Sequence, residues 1–570
     1  MPRIAYRRAP LALRVGLATV VAPEDQFNAV AAARDSVTVA GWTIVSRVTG
    51  VIKFAVIGAV LGPTFFGNTY QFTNSLPNLM FYGLLAGSLF SSLVPALVRH
   101  IDADDRGASE RIAGGFLGIT LVVLLVIAPL AIALGPLLFR FAALGGGPQV
   151  AAAQMRIGLL LILMFIPQVF FYGVVGTATA VQNSRQRFAL AAGAPAVESL
   201  GIMAVLGATA LLYGTRASLT TVPVGEIVLL GLGTTGAVAL HAATQWFGAR
   251  HAGVVIKPRP GWRDPEVRVL IRRALPSIAQ AALASLQVLV LLTVANRLPG
   301  GVIAFQIALN FYFLAIALGA QPVALSVLPR LSRMHLDGDT IAFRDTLVRG
   351  LAMALLVTIP AAVGYLVLAT PVARAIAFGR MTSDGGVTMV AASLAALSLA
   401  VVGQTAFMIV SYACYARRDT RTPLMSMLLQ TVLCLGLAST ALLLRGPAML
   451  AVLGLALSLS VAAAALHLTA QVWRKLGRGG TQRLAPSLAR VIAGAAIMTG
   501  PAWLAANAVP QWLGGSLGPR VGLAAAVLVG AAVFFALQAL WRTPEMGWLA
   551  GGFGQWRGKP NRLLPGASNG

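Results

Sequence analysis

Four charged side chains lie inside long apolar stretches of the sequence: Arg47, Lys53, Glu198 and Glu226. A charge in an apolar environment is costly, so each is a candidate functional residue. Arg47 and Lys53 are six residues apart, which places them about 120° apart on a helix. We expect them to line two walls of a wide cavity that accepts an anion. The alternative is that Arg47 bonds to carbonyls between helices and Lys53 reaches outward.

Glu198 is the one carboxylate deep in an apolar stretch, and two roles are open for it. It is either a coupling-ion site or one partner of a structural ion pair with a cation such as Arg47. Glu226 lies near the end of its stretch, where a charge is ordinary. His241 and His467 stand alone on apolar segments, a setting more typical of a hydrogen-bonded core residue than of a ligand.

A stripe of polar residues follows the second apolar stretch. Its spacing keeps the stripe within about 120° of a helix surface: Asn68, Gln71, Asn74, Ser75, Asn78 and Tyr82. Amides cannot face lipid, so the stripe faces either a partner helix or a wet cavity that binds sugar hydroxyls and amides. The matching place in the second half of the chain carries Gln306, Asn310 and Tyr312.

The elements that must position these residues are membrane helices. Of the 570 residues, 58% are hydrophobic and 11% are charged, which excludes a soluble enzyme and a disordered chain. About 20 apolar residues span a bilayer. The sequence predicts fourteen spans, near 36–61, 70–98, 113–138, 153–180, 189–213, 223–248, 272–296, 301–329, 348–371, 386–415, 422–444, 448–473, 487–508 and 520–541.

The basic residues alternate between the loops that these spans define. With the N-terminus in the cytoplasm, 33 of the 43 Lys and Arg residues fall on the cytoplasmic side. This agrees with the positive-inside rule and predicts that both termini are cytoplasmic. The net charge of +26 then faces anionic lipids, so no nucleic-acid partner is expected.

Two similar strings, around Pro95 and around Pro329, lie six spans apart. An even separation predicts a parallel repeat, with two six-helix lobes enclosing a central cavity and two extra helices. The predicted organisation is a basic cytoplasmic tail, an N-lobe, a cytoplasmic linker, a C-lobe, the two extra helices and a second cytoplasmic tail, at 1–34, 35–248, 249–271, 272–475, 476–542 and 543–570.

Motifs for enzyme chemistry are absent from the sequence. The two cysteines, Cys414 and Cys434, lie in apolar stretches, and the five histidines are scattered, so neither a disulfide framework nor a metal site is expected. No nucleotide-binding or nucleophile motif occurs. We therefore expect neither an enzyme nor a cofactor.

Several strings in this order resemble the MurJ (MviN) lipid II flippase family of the multidrug/oligosaccharidyl-lipid/polysaccharide exporter superfamily. The resemblance covers roughly residues 35–545. The strings that carry it are Ser46-Arg47-Val48-Thr49-Gly50, Leu76-Pro77-Asn78-Leu79, Ala86-Gly87-Ser88, Asn183-Ser184-Arg185-Gln186-Arg187-Phe188, Trp262-Arg263-Asp264-Pro265, Phe378-Gly379-Arg380 and Tyr415-Ala416-Arg417-Arg418-Asp419-Thr420-Arg421-Thr422-Pro423.

The resemblance implies a fourteen-helix, two-lobed transporter with a cationic cavity. Such a transporter flips an undecaprenyl-pyrophosphate-linked peptidoglycan precursor across the bacterial inner membrane by alternating access. Its partners would be the lipid-linked glycan, membrane lipids and cell-wall synthesis or division proteins. The implied cavity residues are Arg47, Lys53, Asn68, Gln71, Asn74, Asn78 and Asn310, with Glu198 as coupling site or ion-pair partner.

Some positions that are charged in the family are neutral in this sequence. Asn68 replaces an acidic residue, Phe81-Tyr82 replaces a basic pair, Ala86 replaces a glutamate and Asn310 replaces an arginine. Three alternatives therefore remain open: a flippase for another lipid-linked glycan, a non-transporting scaffold of a cell-wall complex, and a drug or cation antiporter of the same superfamily.

Overall fold

A computed structural model describes residues 23–81, 87–103, 105–142, 145–215, 218–477, 484–515 and 517–546. Within these ranges the chain is helical and has no strand. The helices are α1 Pro23–Leu61, α2 Phe65–Phe81, α3 Gly87–Asp102, α4 Arg106–Ala142, α5 Pro148–Phe165, α6 Pro167–Ser184, α7 Phe188–Gly193, α8 Pro195–Tyr213, α9 Val224–His251, α10 Pro265–Ala295, α11 Gly301–Ala315, α12 Gln321–Leu336, α13 Thr340–Val367, α14 Ala369–Ile376, α15 Asp384–Ala416, α16 Arg421–Thr440, α17 Pro447–Leu476, α18 Leu484–Leu513 and α19 Gly518–Leu540.

These helices confirm an all-α polytopic membrane protein. Thirteen stretches of described residues are long and apolar enough to cross a membrane, and each matches a predicted span. The remaining predicted span, 70–98, falls on α2 and α3, which flank residues 82–86 outside the described ranges. Tyr82 and Ala86 lie in this gap, outside the described ranges. Residues 1–22 and 547–570, which belong to the two predicted tails, also lie outside the described ranges.

Spans 1 and 2 pack reciprocally against spans 7 and 8. Helix α1 contacts α11, and α2 contacts α10. A two-fold relation between two similar halves requires this pattern of contacts. The first span of each half then packs against the second span of the other half. Helices α18 and α19 pack on each other and reach the rest of the bundle through α13 and α14.

The buried apolar side chains of the described residues form three clusters. We call the end of the bundle that carries the loop 252–264 the linker face, and the end that carries the loop 296–300 the far face. In the far half a single cluster joins the lobes, with Phe66 of α2 and Ile303 of α11 both in it. In the linker half there are two clusters, one around Phe116, which also takes in Ala274 at the start of α10, and the other around Leu355. The lobes therefore share a core at the far face, whereas in the linker half only the start of α10 packs on the N-lobe and the rest of the C-lobe has a cluster of its own.

The loop 252–264 is fixed to the N-lobe. The amide of Arg259 donates to the carbonyl of Gly114 at 2.9 Å, and the carboxylate of Asp264 lies 3.0 Å from Nε of Arg111. Asp264 also caps α10, accepting from the amide of Glu266 at 2.9 Å, with Pro265 at the first helical position. This strong helix start explains why α10 begins at Pro265, seven residues before the predicted span.

The carboxylate of Asp419 connects the start of α16 to the end of α17 through hydrogen bonds. It accepts from the amide of Thr422 at 3.0 Å and from Nζ of Lys475 at 2.7 Å. Burial raises the pKa of Asp419, but the hydrogen bonds from Lys475 and Thr422 outweigh burial and lower the pKa from its ordinary 3.8 to about 2.

Replacing Asp419 by Ala is expected to lower stability by about 1 kcal/mol near neutral pH, the usual cost of losing such a helix-terminal bond. Because the folded-state pKa is depressed, the contribution is full above pH 4 and is lost as pH falls toward 2. Melting temperatures of the two proteins in detergent at pH 6 and pH 3 would test this. A difference that does not shrink at the lower pH would contradict the assignment.

Candidate functional site

A cluster of charged and polar side chains lies inside the N-lobe. Glu198 of α8 is its centre: Oε2 lies 2.9 Å from Nδ1 of His241 on α9, and Oε1 lies 4.0 Å from Nζ of Lys53 on α1. Tyr172 of α6 donates its hydroxyl to Oε1 at 3.3 Å. The side chains of Lys53 and Glu198 are 14% and 12% exposed. We call Lys53, Tyr172, Glu198 and His241 the N-lobe cluster.

The N-lobe cluster lies at mid-depth in the bundle. Glu198 is ten residues after Phe188, where its span starts, and His241 is ten residues before His251, where its span ends. Both ends lie at the linker face, and ten residues of helix rise about 15 Å. That is half of a hydrocarbon core about 30 Å thick. Charges at this depth require partners, and these residues supply them to one another.

The local sequence explains why these side chains converge. Pro195 starts α8 within span 5, three residues before Glu198, and so sets the direction of this helix. Small residues then let the neighbouring helices approach closely: Gly201 of α8 packs against Ala237 of α9, one turn from His241.

The ionised carboxylate of Glu198 determines which ring nitrogen of His241 carries a proton. An ionised carboxylate only accepts hydrogen bonds, so Nδ1 of His241 must carry the proton that Glu198 receives. The other ring nitrogen, Nε2, is buried and has no hydrogen-bond partner among the described residues. In neutral His241 it is therefore a free lone pair in the membrane interior.

Arg47 and Lys53 have different surroundings, although both belong to α1. Lys53 belongs to the N-lobe cluster and also lies 5.0 Å from the centre of the Phe54 ring. Arg47 is exposed and has no hydrogen bond or ion pair with any described residue. The partners of Glu198 are thus Lys53, through an ion pair, and His241, through a hydrogen bond, where the sequence suggested a cation such as Arg47.

The polar stripe of α2 is mostly engaged with neighbouring helices. Gln71 donates to the hydroxyl of Ser75 at 3.3 Å, and Gln306 of α11 donates to the same hydroxyl at 2.8 Å. Asn310 donates to the carbonyl of Gln306 at 2.8 Å. This chain of bonds joins the two lobes at the point where the shared core ends.

Asn74 and Asn78 lie closer to the linker face along the same stripe. Asn74 is half-buried and accepts a long bond, 3.5 Å, from Gln168 of α6. Asn78 is half-buried and has no hydrogen bond with a described residue. Toward the described residues, both amides retain free hydrogen-bonding capacity at the divergence of the lobes.

Asn68 lies elsewhere, in contacts that join the lobes at the far face. It is completely buried, donates to the carbonyl of Leu298 at 2.7 Å and accepts from the amide of Val302 at 3.1 Å. Sequence reasoning placed Asn68 on the cavity wall. Because its amide is occupied by the backbone of the opposite lobe, we assign it to interlobe closure and leave it out of the candidate site.

Arg380 completes this closure. Its guanidinium donates to the carbonyls of Leu61, at 3.3 Å, and Thr215, both in the N-lobe. Gly300 has a left-handed φ of +76° and packs so closely on Pro63 that a side chain would collide with it. We call Leu61, Asn68, Leu298, Val302 and Arg380 the far-face seal.

Among the described side chains of the C-lobe, the buried polar groups are neutral. Gln287 donates to the hydroxyl of Thr431 at 2.8 Å and accepts from Gln430 at 3.0 Å. The described residues contain no cluster of histidine, cysteine and carboxylate side chains that could hold a metal ion. Ionisable chemistry deep in the described part of the bundle is therefore concentrated in the N-lobe.

Sequence reasoning singled out Lys53 and Glu198 and interpreted His241 as a hydrogen-bonded core residue, which its burial and its contact with Glu198 confirm, but it missed that contact and Tyr172. A usable signal was present, since His241 and Glu198 lie at equal depths on consecutive spans. Such a pair can meet whenever two antiparallel spans are neighbours.

Comparison with known proteins agrees with this architecture. The model of the family "Lipid II flippase MurJ" matches residues 57–522. A probable lipid II flippase MurJ of Vibrio cholerae is 26% identical over 68% of this chain and 74% of its own length. One from Rhizobium meliloti is 26% identical over 88% of this chain and 91% of its own length.

Two solved structures share the fold. A lipid II flippase MurJ in an inward closed conformation superposes with a TM-score of 0.67, at 16% identity, covering 89% of this chain and 98% of that one. An inward-facing MATE-family multidrug transporter superposes with a TM-score of 0.60, at 16% identity, covering 76% of this chain and 98% of its own. With the family model matching most of its length, the chain belongs to the MurJ lipid II flippase family.

Proposed function

We propose that this protein is a flippase that moves lipid II, the polyprenyl-pyrophosphate-linked peptidoglycan precursor, from the inner to the outer leaflet of the bacterial cytoplasmic membrane. It works by alternating access and changes no covalent bond. The observation that carries the proposal is the asymmetric core, which is one cluster at the far face and two clusters at the linker face, where the start of α10 alone connects the C-lobe to the apolar cluster of the N-lobe. This arrangement is what a transporter that is open on one side requires.

The charge distribution supports an orientation for this opening. The loop 252–264 and the other basic loops lie at the linker face, so the positive-inside rule places that face in the cytoplasm. Both termini are then cytoplasmic. The divided half of the bundle opens toward the leaflet in which the precursor is made, and the far-face seal closes the route to the outside.

The residues at the divergence of the lobes suit the parts of lipid II. Lys53 and Arg47 supply positive charge for the pyrophosphate in a region of low dielectric constant, where such attraction is strong. The amides of Gln71, Asn74, Asn78 and Asn310 supply partners for sugar hydroxyls and peptide groups. Trp42 and Ile44 of α1 are 46% and 47% exposed, which leaves a side opening for the lipid tail.

The experiment uses bacteria that are depleted of their own lipid II flippase and express this chain. The fraction of lipid II cleaved by an externally added lipid II-degrading toxin reports the amount in the outer leaflet. Restored cleavage is the expected result. No restoration at normal membrane levels would overturn lipid II as the cargo and favour another lipid-linked glycan or a scaffold in a cell-wall complex.

A further inference from the structure

We propose that His241 is a proton-binding site whose occupancy is linked, through Glu198 and Lys53, to binding of the anionic cargo. The inference rests on the proposed function in that the cargo carries a pyrophosphate. It assigns a role to a residue that is almost completely buried, since the side chain of His241 is only 5% exposed.

The carboxylate of Glu198 contacts two basic side chains, one on each oxygen. His241 lies 2.9 Å from one oxygen, whereas Lys53 lies 4.0 Å from the other, at the limit of an ion pair. When His241 is neutral, the one negative charge of Glu198 offsets the positive charge of Lys53. When His241 is protonated, the imidazolium and the carboxylate offset each other, and the charge of Lys53 is left uncompensated.

The unpartnered Nε2 of His241 is the atom that takes up the proton. Nδ1 already carries a hydrogen that Glu198 accepts, so Nε2 holds the free lone pair. Uptake adds one proton from water to this nitrogen, and its reversal returns that proton. Histidine is the side chain whose charge changes in the range of pH 5 to 8.

The other titratable groups on the helices around His241 are mostly tyrosines, which do not change charge in this range. They are Tyr70 of α2, bonded to Thr234 at 2.8 Å, Tyr172 of α6, bonded to Glu198, and Tyr213 at the end of α8. Helix α7 carries no titratable group, and Arg156 of α5 is exposed near the far face. The remaining charged or titratable groups on α9 lie near its ends: Glu226, Arg250 and His251.

Linkage fixes the sign of the effect. Protonation of His241 frees the charge of Lys53, so it strengthens binding of an anion, and a bound anion strengthens proton binding by the same factor. One charge a few ångströms away commonly shifts a binding equilibrium about ten-fold or more. Cargo binding is therefore expected to be about ten-fold tighter at pH 5.5 than at pH 8.5.

The test measures binding of fluorescently labelled lipid II to the purified full chain in detergent, between pH 5.5 and pH 8.5. His241→Gln is expected to bind weakly at every pH, as the wild type does at pH 8.5. Glu198→Gln is expected to bind tightly at every pH, because Lys53 is then always uncompensated. His467→Gln is the matched control: His467 contacts Ser426 and Gln471 instead of an acid, and this variant should keep the pH dependence.

The cargo's own ionisation contributes equally to the pH profile of every variant. Differences between the profiles of the variants and the wild type therefore report the protein alone. A pH profile of His241→Gln that matches the wild type would overturn the inference, as would Glu198→Gln binding no tighter than wild type at pH 8.5. A parallel titration with a short polyprenyl pyrophosphate separates the two proposals. If that probe shows the His241-dependent profile and lipid II does not bind, the proposed cargo is wrong and the proton link stands.

Discussion

Cells that depend on this chain and carry Lys53→Met are expected to expose at least ten-fold less lipid II at the outer leaflet. The substitution removes one cation from the region proposed for the pyrophosphate and leaves Glu198 without it, which adds repulsion. Hydrogen bonds to charged groups contribute about 1.5–3 kcal/mol, which corresponds to ten-fold or more in binding. Cleavage of lipid II by an external toxin, measured at matched protein levels, reports the loss.

Two further variants separate charge from folding in this experiment. Arg445→Gln changes an exposed arginine in a far-face loop and should leave export unchanged. Lys53→Met combined with Glu198→Gln removes both members of the ion pair, so no uncompensated charge is buried and the protein should fold normally. Normal export by this double variant would show that the charge of Lys53 is not needed.

Gly118→Val is expected to give the largest loss of stability among single substitutions on the linker face. Gly118 of α4 touches the backbone of Arg259 directly, and a side chain there would overlap the Arg259 carbonyl. Backbone cannot move aside as a flexible side chain can, so the loop 252–264 must detach from α4. We expect a cost of about 3 kcal/mol or more, at the upper end of single-residue effects.

Thermal unfolding in detergent and limited proteolysis would measure this effect. The melting temperature should fall clearly, and the loop 252–264 should become sensitive to trypsin, which can cleave after Arg263 but not after Lys257 or Arg259, because a proline follows each of these two residues. Gly207→Val on α8 is the matched control, because nothing lies within 4 Å of a side chain at that position. Equal melting temperatures for the two variants would contradict the role assigned to Gly118.

Helix positions were predictable because membrane burial constrains composition directly. A span needs about 20 apolar residues, and that requirement located all thirteen spans found among the described residues. The family was also predictable, since its strings lie at helix starts and loops, such as Asp419 at the start of α16 and Asp264 at the start of α10.

Side-chain partners were less predictable, because they depend on helix rotation and on which spans are neighbours. Glu198 needed a cation, which its burial indicated, but the choice of Lys53 and His241 follows from how α1, α8 and α9 pack. Asn68 illustrates the same limit. Its place in a polar stripe suggested a cavity, whereas its depth at the far face gives it the backbone of the other lobe as a partner.

The N-lobe cluster also has an electrical consequence. With neutral His241, the charges of Lys53 and Glu198 cancel at mid-depth, so a rearrangement that carries the cluster through the transmembrane field does no electrical work. Protonated, the cluster carries one net positive charge, and moving one charge through 100 mV involves about 2.3 kcal/mol. Voltage would therefore act on the resting protein mainly through its cargo, and on the protonated protein through the cluster as well.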